Sequence, residues 1–414
     1  MKRLQADVLV VGAGPAGMAA VRALLKAGRQ VIWIDKQGRP GGQIWRGGPP
    51  PAWQHMTDLP GLTLLGSHVV IAADGPSALV LHDTAQDLAL RVEAPQLLLA
   101  TGARERMLPF PGWTLPGVTG AGGLQALVKG GWPVARKRVV LAGSGPLLLA
   151  AADTLKSSGG QVLAVVEQAH PVALAGFAAR LPLGKVAQAL NLRWRLRGTP
   201  YLHGAWVQRA YGEARLEGVS LSNGQQLACE ALGIGFGLLP NTELAALLGC
   251  ALRDGAISVD VQMQTSVKGI FAAGECTGIG GVEKSLLEGA RAAQAMLGRT
   301  ASRTRQHAQA LAFGRALQSS FDLRPELLKL ADARTLVCRC EDVNLGELKG
   351  CSSWRDAKLQ TRCGMGACQG RVCGGIANEL FGWRDAPGLP RAPLQPVPIH
   401  VLLQLDEGCG QSAP

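Results

Sequence analysis

Asp7-Val-Leu-Val-Val-Gly12-Ala-Gly14-Pro15-Ala16-Gly17 stands near the start of the chain, and its reading decides the fold. After Asp7, residues 8–11 form a continuous apolar run rich in β-branched valine, the mark of a strand buried on both faces. The glycine spacing then predicts a turn and a helix over 16–27, followed by the strand Val31-Ile-Trp-Ile34 ending at Asp35. Gly12 permits the tight turn, Gly14 lets backbone N–H groups approach a pyrophosphate at the helix N-terminus, and Gly17 allows helix to pack close on strand. Asp35 is placed to accept hydrogen bonds from an adenosine ribose. The glycine pattern alone is weak; with strand, helix and acid at the right offsets it is strong.

Working outward, strands recur at 97–100, before Ala100-Thr101-Gly102, and at 139–142, with another helix after Gly145 and a strand at 162–166 ending at Glu167. A second βαβ unit thus begins about 130 residues after the first, a loose internal repeat. Gly269-Ile-Phe-Ala-Ala-Gly274-Glu275 reads as a further strand, with a helix over 282–297. The expected fold class is α/β, with two Rossmann-like dinucleotide-binding domains, the second inserted in the first, and a small helical C-terminal domain. The expected boundaries are 1–115 with 260–300 for the first domain and 135–250 for the insert. Residues 301–335 are read as a connector, 336–384 as a cysteine domain and 385–414 as a proline-rich tail. Pro387, Pro390, Pro393, Pro396 and Pro398 in that tail predict an extended strap without helix.

Composition narrows the classes. Of 414 residues 47% are hydrophobic and 55 are glycine, as large cores with many strand-to-helix turns require. Against 30 Asp+Glu stand 42 Lys+Arg, a net charge of +12, but the basic residues are scattered and few aromatics sit among them. No nucleic-acid ligand is expected; a soluble basic protein is the favoured reading and an acidic protein partner the intermediate one. The longest apolar run, 139–152, ends at Asp153 and is shorter than the ~20 residues a membrane span needs, so no span is expected. Met1-Lys-Arg imitates a signal peptide, but cleavage after it would remove the first strand and turn, so a cytoplasmic location is expected.

The second glycine motif, Gly143-Ser-Gly145-Pro-Leu-Leu148, lacks its third glycine, and Glu167 is placed where it could bind a ribose. It is either an NAD site or, slightly favoured, a nucleotide fold kept for its shape. Of ten cysteines, six fall between 338 and 373. Such clustering argues for metal ligation over a disulfide scaffold. Cys338-Arg-Cys340 and Cys368-Gln-Gly-Arg-Val-Cys373 supply the four thiolates of a [2Fe–2S] cluster, in a loop loosened by Gly364, Gly366 and Gly370. Zinc is the alternative, although C-x-C with C-x4-C is an unusual finger spacing. Cys363 is read as a surplus thiol that reaches the cluster only by displacing a ligand. Cys351 and Cys409 are read as ordinary residues, and Cys229, Cys250 and Cys276 are isolated from one another. There is no C-x-x-C, so the dithiol of a disulfide reductase is absent.

Several stretches carry a family resemblance. Arg39-Pro-Gly-Gly42-Gln43-Ile44 resembles the flavin-flanking loop of thioredoxin-reductase-like flavoproteins, and Ala272-Ala-Gly274-Glu275 resembles their late motif, with Glu where Asp is usual. On that basis the candidate FAD contacts are Gly12, Gly14, Pro15, Ala16, Gly17, Asp35, Lys36, Gly42, Gln43, Thr101, Gly102, Gly274 and Glu275. Ala100-Thr-Gly-Ala-Arg-Glu-Arg106, Phe110-Pro-Gly-Trp-Thr-Leu-Pro-Gly117, Gly235-Phe-Gly-Leu-Leu-Pro-Asn241 and the segment Cys368–Cys373 together resemble the α (A) subunits of opine oxidases and of proline and D-hydroxyproline dehydrogenases, and the B subunits of hydrogen cyanide synthases. This resemblance covers nearly the whole chain. The cysteine segment is similar to bacterioferritin-associated ferredoxin domains, which close with C-x2-C where this chain has C-x4-C.

The resemblance implies a thioredoxin/glutathione-reductase-like fold and a heteromeric complex. In such a complex an FAD-containing, amine-oxidase-like β subunit oxidises the C–N bond of an amino acid, D-hydroxyproline, proline or an opine. The resemblance also implies a small ferredoxin-like subunit, with FMN at a subunit interface and the α chain carrying electrons onward. Relatives differ over whether the first nucleotide site holds FAD, NAD or another adenine nucleotide. No acid–base set with a convincing context is found in the chain, so no catalytic residue is assigned. A free-standing NAD(P)H-dependent flavin or ferredoxin-type reductase is the alternative enzyme, and a redox-silent scaffold is the non-catalytic one.

Overall fold

The structure, a computed structural model, describes residues 1–300, 304–383 and 390–406. It divides into two compact units, each built on its own parallel sheet.

The first unit comprises residues 1–104, 240–314 and the described part of 389–414. Its five-stranded sheet runs in the order Ile270–Ala272, Gln96–Leu99, Val8–Val11, Val31–Ile34, Leu62–Leu65, every pair parallel. Val8–Val11 lies at the centre and is buried along its whole length, as its unbroken apolar run requires. The chain turns through Gly12 into the helix Pro15–Lys26, whose first turn accommodates Pro15 because the N–H that proline lacks has no helical partner there. This helix packs on Gly281–Met296 so closely that a Cβ on Gly289 would stand 2.0 Å from the Ala16 carbonyl oxygen. A four-stranded sheet of Lys2–Gln5, Leu88–Glu93, Ala78–Asp83 and His68–Ala73 completes the unit.

The tail departs from the extended strap expected of it. Leu394 N–H does donate to the Ile71 carbonyl (2.8 Å), but Ile399–Asp406 is a helix. The prolines end at Pro398, whose carbonyl accepts from Val401 N–H at the start of the helix (3.0 Å), and the apolar Val401 is fully buried. Proline before a helix is compatible with it, whereas proline inside one is not. Pro387 and Cys409 lie outside the described residues.

The second unit comprises residues 105–239 and the described part of 315–388. Its parallel sheet runs Val118–Gly120, Ala231–Gly235, Arg138–Gly143, Gln161–Glu167, Tyr201–His203. The cysteine segment shares a core with this sheet: Phe110, Trp113, Val166 and Ile234 belong to the same buried cluster as Cys338, Trp354, Cys363, Cys373 and Ile376. Among the described residues no helix is long and apolar enough to cross a membrane.

Candidate functional site

The first glycine turn is sterically committed. Gly12 has φ +108°, and a Cβ there would lie 2.1 Å from the Ala100 carbonyl oxygen. A Cβ on Gly17 would lie 2.0 Å from the Gly12 carbonyl oxygen, so helix and strand meet at van der Waals limit only because both positions lack side chains. Gly14, at the helix N-terminus, faces open space, with nothing within 4 Å of where a Cβ would be. Pro15 and Ala16 open the helix beside it. Asp35 is fixed by two backbone donors, Ala13 N–H to Oδ2 (2.6 Å) and Gln37 N–H to Oδ1 (2.7 Å). Burial nonetheless pushes its carboxyl above the usual range. Lys36 beyond it is exposed. The 39–44 loop folds back onto the turn: Gly41 N–H donates to the Ala13 carbonyl (2.8 Å), Gly42 has φ +60°, and Gln43 is exposed. Thr101 and Asn241 hold each other by Oγ1 to the Asn241 carbonyl (2.7 Å) and Nδ2 to the Thr101 carbonyl (2.9 Å), and Gly102 follows with φ +69°.

Gly274 and Glu275 stand at the end of the Ile270–Ala272 strand, before the Gly281–Met296 helix. Glu275 Oε1 accepts from Gly281 N–H (2.6 Å) and Gly280 N–H (3.2 Å). Its Oε2 is buried with no hydrogen-bond partner among the described residues. Burial raises its pKa. A buried acceptor without a donor is costly, and a ligand hydroxyl would supply that donor. With the open helix N-terminus at Gly14, this oxygen shows that the residues present fit a flavin dinucleotide.

Behind this loop lies a network absent from the sequence-based expectations. Lys284 Nζ donates to the Gly274 carbonyl (2.9 Å), Thr277 Oγ1 (2.9 Å) and Glu288 Oε2 (2.7 Å). Glu288 Oε2 also accepts from Gly274 N–H (2.9 Å), and its Oε1 faces His307 Nε2 at 3.5 Å. Burial alone would raise the Glu288 pKa, but hydrogen bonds from His307 and Lys284 hold it below the usual range. The one signal visible in the sequence is the Lys284-x-x-x-Glu288 pair, one helical turn apart.

The second glycine motif is filled by the chain itself. Glu167 is fully buried, its carboxylate accepting from Gly145 N–H (2.7 Å) and Ala169 N–H (2.9 Å), and burial pushes its pKa up to about 7. The Phe321 ring lies against Gly145, 3.8 Å from the position a Cβ would take there, and meets Phe177 edge-on at 5.0 Å. Ser144 Oγ donates to the Phe321 carbonyl (3.2 Å), Gln168 Nε2 to the Asp322 carbonyl (2.9 Å), and Arg324 N–H to Gln168 Oε1 (3.2 Å). Glu167 is held by backbone donors as Asp35 is, so what sets this turn apart is the Phe321 segment laid over it.

The cysteines converge, with one correction. The sulfurs of Cys338, Cys363 and Cys373 lie within 4.8 Å of one another, all buried. Cys368 contacts Cys373 and Cys340, and Cys340 is exposed. Cys363, expected to be held off by the Gly-Met-Gly stretch, therefore points into the centre. The helix Trp354–Thr361 ends on Arg362 in the left-handed conformation (φ 64°), which turns the chain inward one residue before Cys363. Linear spacing could not show that reversal. Gly364 and Gly366 are required here: a Cβ would stand 2.4 Å from the Trp354 ring at the first and 2.3 Å from Cys340 Cβ at the second. Trp113 Nε1 donates to the Leu336 carbonyl (2.7 Å), anchoring the strand that leads into Cys338. The Cys363 and Cys373 thiols donate to Cys338 and hold it far below the ordinary thiol range, while Cys363 is pushed up to about 12. Buried sulfurs this close together are a donor set that suits a metal centre, an iron–sulfur cluster among them.

The sequence signature of the pyridine nucleotide-disulphide oxidoreductase family matches residues 6–296. The chain belongs to that family of flavin oxidoreductases. The A subunit of opine oxidase from Rhizobium meliloti (strain 1021) is 33% identical, over 97% of this chain and 99% of the relative. Hydrogen cyanide synthase subunit HcnB of Pseudomonas aeruginosa is 32% identical, over 96% of this chain and 98% of the relative. Among solved structures, L-proline dehydrogenase from P. horikoshii superposes with a TM-score of 0.70 at 20% identity, covering 97% of this chain and 80% of that one. T. acidophilum thioredoxin reductase covers 71% of this chain and 98% of that one, with a TM-score of 0.55 at 20% identity, and shares the fold.

Proposed function

We propose that this chain is the electron-transferring α subunit of a heteromeric flavin-dependent dehydrogenase that oxidises the C–N bond of D-hydroxyproline, proline or an opine. The observation that carries this reading is the pairing, in one chain, of an unsatisfied Glu275 oxygen at an open dinucleotide turn with five convergent thiols. The relatives from opine oxidase and hydrogen cyanide synthase are themselves subunits and align over nearly their full length, which supports a multi-subunit assembly.

In this reading FAD supplies two-electron acceptance and a [2Fe–2S] cluster supplies one-electron transfer. Gly12, Gly14 and Gly17 bring the helix N-terminus to the pyrophosphate. Asp35 orients the ribose while Lys36 lies beside it, and Glu275 Oε2 accepts from a hydroxyl of the ribityl chain. Pro15, Ala16, Gly42, Gln43, Thr101, Gly102 and Gly274 shape the walls. Lys284 and Glu288 fix the loop that carries Gly274 and Glu275. Cys338, Cys340, Cys368 and Cys373 are assigned as cluster ligands, with Cys338 and Cys373 at the buried end and the contacting pair Cys340 and Cys368 toward the surface. Cys363 is a fifth thiol at the buried end. The partner is an FAD-containing, amine-oxidase-like β subunit, with an interface FMN and a small ferredoxin-like protein as further components, in the cytoplasm. The alternative, a free-standing NADH-dependent reductase, is disfavoured by the filled second motif.

The test is dye reduction with proline, D-hydroxyproline and opines by the purified chain alone and by the chain co-expressed with its β subunit. Turnover is expected only from the complex. Robust turnover by the isolated chain would overturn the assignment.

A further inference from the structure

The consecutive helices Pro171–Ala179 and Leu183–Arg195, joined by residues 180–182, present an unusual surface. The second helix buries no residue, and the first, apolar at every position, buries only Phe177. Leu183, Ala187, Leu190 and Trp194 recur at helical spacing along one face and are all exposed, Leu183 at 89%, Leu190 at 65% and Trp194 at 64%. Val172 on the first helix is 73% exposed. An amphipathic helix normally turns its apolar stripe to the core; this one turns it outward. A contiguous exposed apolar patch rimmed by polar groups marks an interaction site.

The two helices carry charges of one sign. Residues 171–197 contain no Asp or Glu but five cations, Arg180, Lys185, Arg193, Arg195 and Arg197, of which Arg195 is matched by Asp153 from outside the segment. Several of these cations are held in place. Arg195 Nε pairs with Asp153 (2.9 Å), Arg193 Nη1 donates to the Thr199 carbonyl (3.2 Å), and the Arg197 guanidinium lies 4.6 Å over the Trp194 ring. Fixed arginines beside a tryptophan suit a protein with fixed carboxylates, since Arg and aromatic residues are enriched at protein interfaces and Lys is depleted. Fluid headgroups would be met as well by flexible lysines.

We propose that the exposed stripe of the Leu183–Arg195 helix is the docking face for the partner subunit of the complex, a protein presenting an apolar groove edged by Asp and Glu. This rests on the proposed function, which supplies the partner. The charged rim steers association and the apolar stripe holds the complex.

The experiment co-expresses the chain with the amine-oxidase-like β subunit; their affinity is measured by biolayer interferometry at 50 and 500 mM salt. Leu190→Glu and Trp194→Glu are compared with a control, Leu252→Glu, at an exposed site in the other unit. Because neither test residue is buried, each variant keeps the wild-type circular dichroism and melting temperature. Each is expected to weaken binding by on the order of 30-fold or more, as for an interface hot spot. The control is expected to bind as wild type, and high salt to slow association. Unchanged affinity in both variants, with wild type bound, overturns the docking face and leaves the function standing. No complex with the wild-type chain overturns the partner reading itself. Sedimentation of the isolated chain with 3:1 phosphatidylcholine:phosphatidylglycerol vesicles, lost in both variants while association with the β partner persists, would identify the face as lipid-binding and overturn the proposal.

Discussion

NADH should neither bind the second nucleotide fold nor bleach the flavin. Seating a pyrophosphate on the Gly143–Gly145 turn requires lifting residues 321–324 away from it. That breaks three hydrogen bonds, Ser144 to Phe321, Gln168 to Asp322 and Arg324 to Gln168. At about 1 kcal/mol net each they amount to about 3 kcal/mol. Uncovering the half-buried Phe321 ring and its edge contact with Phe177 adds about 2 kcal/mol. The sum, roughly 5 kcal/mol, is a factor of several thousand in affinity. A site that would otherwise bind NADH near 10 μM, within the usual substrate range, then binds it only at tens of millimolar. Isothermal titration with NADH to 1 mM should give no saturable heat, and anaerobic mixing should leave the flavin absorbance near 450 nm intact. Phe321→Ala should recover part of the affinity by removing the ring. Saturable binding below about 1 mM, or rapid bleaching, would refute this reasoning and favour a free-standing NADH reductase.

Glu288→Gln should cost on the order of 3–5 kcal/mol, because it leaves the buried Lys284 ammonium without its carboxylate, and should loosen the Gly274–Thr277 loop; urea unfolding and flavin retention on gel filtration check both. Glu167 is expected to make stability fall with rising pH. Its folded pKa of about 7 lies above the ordinary 4.5, so between those values the unfolded chain loses a proton that the native state keeps. The loss is about 3 kcal/mol across that window, and Glu167→Gln should flatten the difference between urea midpoints at pH 4.5 and pH 8. Ser at 338, 340, 368 or 373 should abolish the [2Fe–2S] electron paramagnetic resonance of the reduced protein, while Cys363→Ala should keep it. The reverse pattern for 363 and 340 would exchange those two in the ligand set, and zinc without iron in anaerobic protein would remove the electron-transfer argument.

The first βαβ unit is legible in the sequence because its signals are local. Val8–Val11 is apolar throughout, and Gly12 and Gly17 sit where a Cβ would collide with backbone. The same logic makes Asp35 and the second sheet readable. Less is legible where the deciding contact spans many residues. Phe321 stands 176 residues along the chain from Gly145, the turn it covers, and nothing in either segment announces the other. Cys363 escapes a reading by spacing because a single left-handed residue, Arg362, reverses the chain, and arginine carries no turn signal of its own. The helix at Ile399–Asp406 is hidden by five prolines, which set the reading for a stretch that continues past the last of them.

Cys338, Cys363 and Cys373 are packed into the same core as Phe110, Trp113 and Ile234, so these sulfurs are structural masonry whatever they bind. Filling or emptying that sulfur cage changes the packing under the second sheet, and metal binding is then part of the folding free energy. If the proposed cluster occupies this cage, iron supply would set how much of this chain survives proteolysis, and abundance would fall before turnover per molecule did.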